Sequence, residues 1–272
     1  MTMTQKESVL DVPDGCLHYE VRGVSGPLVV LVGAPMGADA FAPLAELLAV
    51  DHTVLTTDPR GIHRSPLHDP EQDSTPDLRA DDLARLITHL DAGPATILGS
   101  SGGAVTALAL AQTRPELVRA VIAHEPPLEQ LLDDRDELRA HREAMIATYL
   151  TGDRVGAWAQ FLAGAGIAMP AEVLVAHGEQ AEADERRWFA HEMRGTCDWL
   201  PDPAALTAAH VVPGIGADSA GQMCDRTTRA LAAQLGVEPT VFPGGHAGFV
   251  EDPPAFATRL RALLDQRGRA AG

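Results

Sequence analysis

The chain is poor in most of the features that mark a specialised scaffold. Its 272 residues include three cysteines, Cys16, Cys197 and Cys224, with no pair at metal-ligand or redox spacing. That excludes a disulfide framework and fits a reducing compartment, where thiols serve as small apolar side chains. No run of about 18 apolar residues is present, which excludes a membrane-spanning helix. The opening Met-Thr-Met-Thr-Gln-Lys-Glu-Ser carries no apolar stretch, so no signal peptide is read and a cytoplasmic location is expected. Lysine occurs once, at Lys6, and the formal net charge is -17. Such an acidic chain is not expected to bind nucleic acid or an anionic membrane. No Gly-x-Gly-x-x-Gly opens the first strand–helix unit, no Walker loop exists, and no His/Cys/Asp cluster has ligand spacing. No cofactor and no metal are therefore implied. Oligomeric state leaves no signature in the sequence, and a homodimer stays open.

What is present is an alternation of short apolar runs and helical patterns. Ser8–Val12 and Leu17–Val21 flank Pro13-Asp14-Gly15, a turn between two strands. Leu28–Val32 is continuously apolar, as expected of a strand covered on both faces. A helix over 40–49, a strand over 53–57 and a helix over 76–91 capped by Thr75 follow. A strand at 95–98, a helix at 103–113 and a strand at 120–123 extend the series. This alternation predicts an α/β fold with a mostly parallel, doubly wound sheet.

From 128 to 205 only helical segments are read, at 135–150, 154–165, 171–193 and 203–209. The alternation then resumes with a strand around Val211–Val212, a helix near 221–236, a strand at 240–242 and a helix at 254–267. The division expected is a core domain of residues 1–127 and 206–272 with an all-helical cap at 128–205. Aromatic residues make up 4% of the chain, and six of its eleven fall in that cap: Tyr149, Trp158, Phe161, Trp188, Phe189 and Trp199. Some of them must build the cap's own core. Trp158, Trp188 and Phe189, with Met36, are the residues expected to line an apolar substrate pocket.

Residues 95–103 read Ala-Thr-Ile-Leu-Gly-Ser-Ser-Gly-Gly, an apolar strand running straight into Gly-x-Ser-x-Gly. A nucleophile elbow requires small residues two before and two after its serine, because the backbone turns sharply there. Gly99 and Gly103 satisfy this for Ser101. Ser100 would have Leu98 in the first place. A serine hydroxyl needs a base within reach, and the base needs an orienting carboxylate. His246, in the glycine-flanked loop Phe242-Pro-Gly-Gly-His-Ala-Gly-Phe249, follows the last strand at the same sheet edge as the elbow. Two carboxylates compete for the third role. Asp218 follows the next-to-last strand, the usual place for the acid. Glu125 follows the strand after the elbow helix and is held by Pro126 and Pro127. If Glu125 is the acid, Asp218 has a bland alternative as the N-cap of the helix after it.

Taken together, Gly99-x-Ser101-x-Gly103, the turn Asp58-Pro-Arg60-Gly61-x-x-x-Ser65 and His246 resemble the α/β-hydrolase superfamily over essentially the whole chain. The resemblance implies an eight-stranded α/β-hydrolase fold. A closer similarity is to zearalenone-type lactonases, which have consecutive elbow serines and a glutamate acid in a His-Glu-x-Pro segment. That pattern falls here on His124, Glu125 and Pro127 and favours Glu125 over Asp218.

The resemblance also implies an oxyanion hole made from the Gly102 N–H and a second donor in Val32-Gly-Ala-Pro-Met-Gly37. Relatives reading His-Gly-Phe-Pro there use the residue before proline, which is Ala34. In the lactonase register the donor falls on Pro35, which has no N–H, and Met36 becomes the alternative. A serine at 101 separates the chain from dehalogenases and epoxide hydrolases of this fold, which use a carboxylate. The expectation is a cofactor-independent serine hydrolase acting on a small-molecule carboxylic ester or lactone with a bulky apolar part. Two alternatives are a non-hydrolytic cyclase or lyase and a non-catalytic receptor on the same scaffold.

Overall fold

The computed structural model of the protein describes residues 5–23 and 25–270. Strands β1 (Gln5–Val12) and β2 (Gly15–Arg22) form the expected hairpin, with Val12 paired to Gly15 across the turn. Next come β3 (Leu28–Val32), α1 (Ala38–Leu48), β4 (Thr53–Thr57), α2 (Pro76–Leu90), β5 (Ala95–Ser100), α3 (Gly102–Thr113) and β6 (Val118–His124). All five residues of β3 are buried, which explains its unbroken apolar run. Helix α2 begins as its sequence dictates. The Thr75 side chain accepts from Leu78 N at 3.3 Å, and Pro76 occupies the first turn, where its missing N–H costs nothing.

The eight strands form one sheet in the order β1-β2-β4-β3-β5-β6-β7-β8, where β7 is Val211–Gly216 and β8 is Thr240–Phe242. Strand β2 runs antiparallel to both of its neighbours, and every pairing from β3 to β8 is parallel. The expected α/β-hydrolase sheet is present. Phe41 and Leu44 of α1 pack one face together with Phe249, Phe256 and Leu260. Leu83 and Leu86 of α2, Leu108 of α3 and Leu231 pack the other. Residues 102–111 of α3 are all buried, so this helix needs no polar stripe.

Between β6 and β7 every regular segment among the described residues is helical. Helices α4 (Arg135–Leu150) and α5 (Arg154–Ala165) match the sequence reading. The single helix expected at 171–193 does not form. Gly178, at φ 93°, interrupts it, so α6 spans Glu179–Arg187. A π-helical turn then occupies Trp188–Glu192 before α7 (Met193–Asp198) and α8 (Pro203–Leu206). Met145, Ile146, Tyr149, Phe189 and Met193 give this insertion a core of its own.

After β7, α9 covers Met223–Leu235 and ends on left-handed Gly236. Its N-cap is Gln222, so the capping role read for Asp218 is not realised: the helix begins at Met223, too far along for Asp218 to cap it. Helices α10 (Gly248–Glu251) and α11 (Pro253–Ala270) complete the fold. No helix among the described residues is long and apolar enough to cross a membrane.

Candidate active site

Four strand ends meet at one edge of the sheet. Ser101 leaves β5 at φ 55° and ψ -125°, a conformation that a side-chain-bearing residue adopts only when its surroundings force it. The surroundings are specific. A Cβ on Gly103 would stand 2.1 Å from Val32 O, and one on Gly99 would stand 2.3 Å from Gly103 O. The close approach of β3, β5 and α3 thus depends on both glycines, as the motif required. Ser101 N donates to His124 O at 2.9 Å, which ties the elbow to the end of β6.

Glu125 follows immediately, also at positive φ (50°), with its N–H held by Gly214 O at 2.9 Å. This turn swings its side chain under the end of β7. Its Oε1 accepts from Gly216 N at 2.8 Å, and its Oε2 accepts from His246 Nδ1 at 2.6 Å. The carboxylate is fully buried, whereas the His246 side chain keeps 24% of its surface. Burial opposes ionisation of Glu125, but the hydrogen bond and charge of His246 outweigh it and bring the carboxyl down to about 2. Burial likewise favours neutral His246. The neighbouring Cys224 sulfur and the Glu125 hydrogen bond and charge override that and raise the ring to about 10.

Asp218, the other candidate acid, is exposed and spends its backbone N–H on Gly244 O at 3.0 Å. The structure brings Glu125, and not Asp218, to His246.

Ser101, Gly102, Ala34 and His246 face a common cleft of about 880 Å³, counting its part open to solvent. Among the described residues, the hydrogen bonds of the His246 ring go to Glu125, and none joins it to Ser101 Oγ. Such contacts are often long in an unliganded enzyme and tighten around substrate. The Gly102 and Ala34 backbones touch, since a Cβ on Gly102 would meet Ala34 O at 2.6 Å. Met36 is not at this cleft. It packs instead against the apolar cluster that contains Phe41, Phe249 and Phe256.

The aromatic expectation needs a similar correction. Trp188 lines the cleft, and so does Phe161, which had not been singled out. Trp158 and Phe189 do not. Phe189 is wholly buried in the insertion's core, stacked on Tyr149 with centroids 4.3 Å apart. Trp158 packs on that core and donates its indole N–H to Glu185 Oε2 at 3.0 Å. Both therefore belong to the insertion's interior, the bland role that aromatic residues on short helices usually have.

Sequence reasoning also missed the polar groups in the cleft. Glu129, Arg142, Glu192 and Cys224 all line it. Arg142 pairs with Glu129 and, at 2.6 Å, with Asp198. Charged residues are mostly solvent-exposed in folded proteins, so nothing in their spacing marked these as interior. The described residues include one group close enough to share a cation: Glu7, His18 and Glu20, on the β1–β2 hairpin. Glu20 is already matched there by Arg22 at 2.7 Å and Arg64 at 3.1 Å.

With this geometry in hand, the comparisons with known proteins agree on a class. A family model described as the alpha/beta hydrolase fold matches residues 26–166. The chain belongs to that family. It is 31% identical to the uncharacterized hydrolase YraK of Bacillus subtilis (strain 168), over 97% of this chain and 98% of that one. It is 25% identical to the zearalenone hydrolase of Bionectria ochroleuca, over 92% of this chain and 94% of that one. Among solved structures, the N-acyl homoserine lactone degrading enzyme Est816 superposes with a TM-score of 0.71 at 17% identity. That match covers 94% of this chain and 99% of Est816. Hydrolysis is the reaction class that the curated relatives' names carry.

Proposed function

We propose that the protein hydrolyses carboxylic esters or lactones of bulky, largely apolar small molecules through an acyl-enzyme on Ser101. The observation that carries this reading is the chain of contacts from Gly216 N through Glu125 to His246, opening on the cleft that holds Ser101. Ser101 Oγ attacks the carbonyl carbon, and His246 Nε2 takes the hydroxyl proton. Glu125 accepts the Nδ1 proton in its hydrogen bond, fixes the tautomer and stabilises the imidazolium. The N–H groups of Gly102 and Ala34 receive the oxyanion, each worth roughly 3–4 kcal/mol of barrier. The tetrahedral intermediate collapses as His246 protonates the leaving alkoxide. Water, deprotonated by the same ring, then attacks the acyl group and frees the acid and Ser101.

The helical insertion, residues 128–205, acts as the cap, with Trp188 and Phe161 as its apolar lining. The names of two relatives, zearalenone hydrolase and a lactone degrading enzyme, support an ester-type bond as the target. Labelling with a fluorophosphonate and mapping the adduct by mass tests the reading. A single adduct on Ser101, abolished in Ser101→Ala, is the expected result. A folded protein that resists labelling and turns over no ester or lactone would reject it.

A further inference from the structure

Beside the two strained residues of the site lies a second serine–histidine pair that the proposed chemistry does not use. Ser100 and His124 are register partners at the ends of β5 and β6, and both are completely buried. Ser100 Oγ and His124 Nδ1 are 3.0 Å apart. Each stands one residue before a member of the proposed triad, Ser100 before Ser101 and His124 before Glu125. The His124 ring sits among Phe242, Phe249 and Phe256, with centroids 5.6, 6.4 and 5.4 Å away and planes 80–86° from its own.

An imidazole is a costly filler for such a space. Burial pushes its pKa down to about 4, with the Glu125 charge opposing and His246 assisting, so the ring is neutral at ordinary pH. Its Nε2 has no hydrogen-bond partner, and among the described residues Ser100 is the one side chain it bonds. A phenyl or aliphatic group would fill the same volume without that desolvation. What the imidazole adds is one directional bond, placed across the two strand ends from which the site is built.

The backbone shows what needs holding. Ser101 is at φ 55° and Glu125 at φ 50°, a region in which non-glycine residues stay only when their surroundings fix them. Both turns leave the sheet at the Ser100–His124 rung. Beyond it the strand ends are joined by Ser101 N, which donates to His124 O at 2.9 Å. The His124 ring also lies 6.5 Å from the His246 ring, at 28° to it.

We infer that Ser100 and His124 are positioning residues: their side-chain bond locks the β5 and β6 ends together and so sets Ser101 relative to Glu125 and His246. This rests on the serine-hydrolase reading above and extends it to the strand ends that carry Ser101 and Glu125. A hydrogen bond serves here because it is directional, whereas ring packing alone lets the two ends shift. A displacement of about 1 Å in a reacting group costs on the order of a hundredfold in rate.

A bond that served stability alone would be replaceable by apolar packing. Removing one partner of a buried bond strands the other, whereas replacing both by apolar groups of matching shape is nearly neutral. Ser100→Ala, His124→Phe and the double variant are therefore compared with wild type for urea midpoint, and for kcat and KM on one ester. Each single variant should lose stability, because one strands Nδ1 and the other the hydroxyl. The double variant should regain most of that stability while kcat stays about tenfold below wild type and KM within about twofold. His124→Asn, whose amide reaches the place of Nδ1, should keep kcat within about threefold although it fills less of the space. Fluorophosphonate labelling of Ser101 should slow in parallel with kcat. A stable double variant with wild-type kcat overturns the inference, and so does a His124→Asn enzyme as slow as the double variant. Should wild type hydrolyse no ester or lactone, the failure lies in the reaction assigned and the labelling rates decide on the pair. Equal labelling of wild type and double variant would then overturn it.

Discussion

Glu125 Oε2 and His246 Nδ1 are 2.6 Å apart although 121 residues of chain separate them. The carboxylate sits at the end of β6 and the imidazole beyond β8, so the pairing spans β7, whose Gly216 N–H holds the other carboxylate oxygen at 2.8 Å. Positive φ at Glu125 makes this geometry available. An acid placed after β7 would reach the histidine from the adjacent strand end, and Asp218 occupies that position without doing so.

Parallel substitutions of the two acids follow from this. Glu125→Gln keeps the shape but loses the charge that fixes the tautomer and stabilises the imidazolium. A fall of at least ~100-fold in kcat is expected. Asp218→Asn changes an exposed side chain and should leave kcat within about twofold. Steady-state kinetics on one ester decides, and the reverse ranking would refute the assignment of Glu125.

The pH profile carries a second prediction. His246 acts as a base only when neutral, and Cys224 and Glu125 raise its pKa above the ordinary 6.5, to about 10. The value of kcat/KM should therefore climb with pH along a limb lying above 6.5, giving an alkaline optimum. Cys224→Ala removes one raising influence and should move the limb toward lower pH. A wild-type limb at or below 6.5, or one indifferent to Cys224→Ala, would contradict the electrostatic account.

The parts of this molecule legible in its sequence are those set by local pattern. The bounds of α4 and α5 follow from helical spacing, and β3 from its unbroken apolar run. Ser101 is marked by glycines whose missing Cβ atoms are a steric requirement at that spot. The cleft lining was less legible because a periodic pattern reports that a helix face is buried and not what it is buried against. Trp158, Trp188 and Phe189 are alike in the sequence, yet only Trp188 faces the cleft. The π turn that holds both Trp188 and Phe189 has no pattern of its own. Gly178 was a readable interruption within 171–193, and its φ of 93° is the reason that no continuous helix forms there.

The two neighbouring aromatics should consequently behave differently. Phe189→Ala opens a void in a fully buried cluster and should cost about 3–5 kcal/mol in urea denaturation. Trp188→Ala should cost less stability and raise KM for a bulky ester roughly tenfold, with a smaller effect on a short one. Equal stability losses with unchanged KM would mean that both rings are simply core.

Among the groups that attach the insertion to the sheet domain, Arg187 makes three hydrogen bonds to one loop. Its guanidinium donates to Arg60 O at 3.2 Å, Pro70 O at 2.9 Å and Gln72 O at 2.9 Å while packed directly on Gly61. Arg187→Met keeps the apolar stem but leaves three carbonyls without a donor. Each charged hydrogen bond contributes roughly 1.5–3 kcal/mol, and partial rehydration offsets some of that, so a net loss of about 3 kcal/mol is expected. Arg187→Lys should recover little, because one ammonium cannot reach three carbonyls that the planar fork serves together. Urea denaturation measures the loss. Limited proteolysis should show new cleavage within 60–72 and the insertion, since α6 would then be free to lift from the loop. Stability within about 0.5 kcal/mol of wild type, with an unaltered digestion pattern, would place the attachment elsewhere.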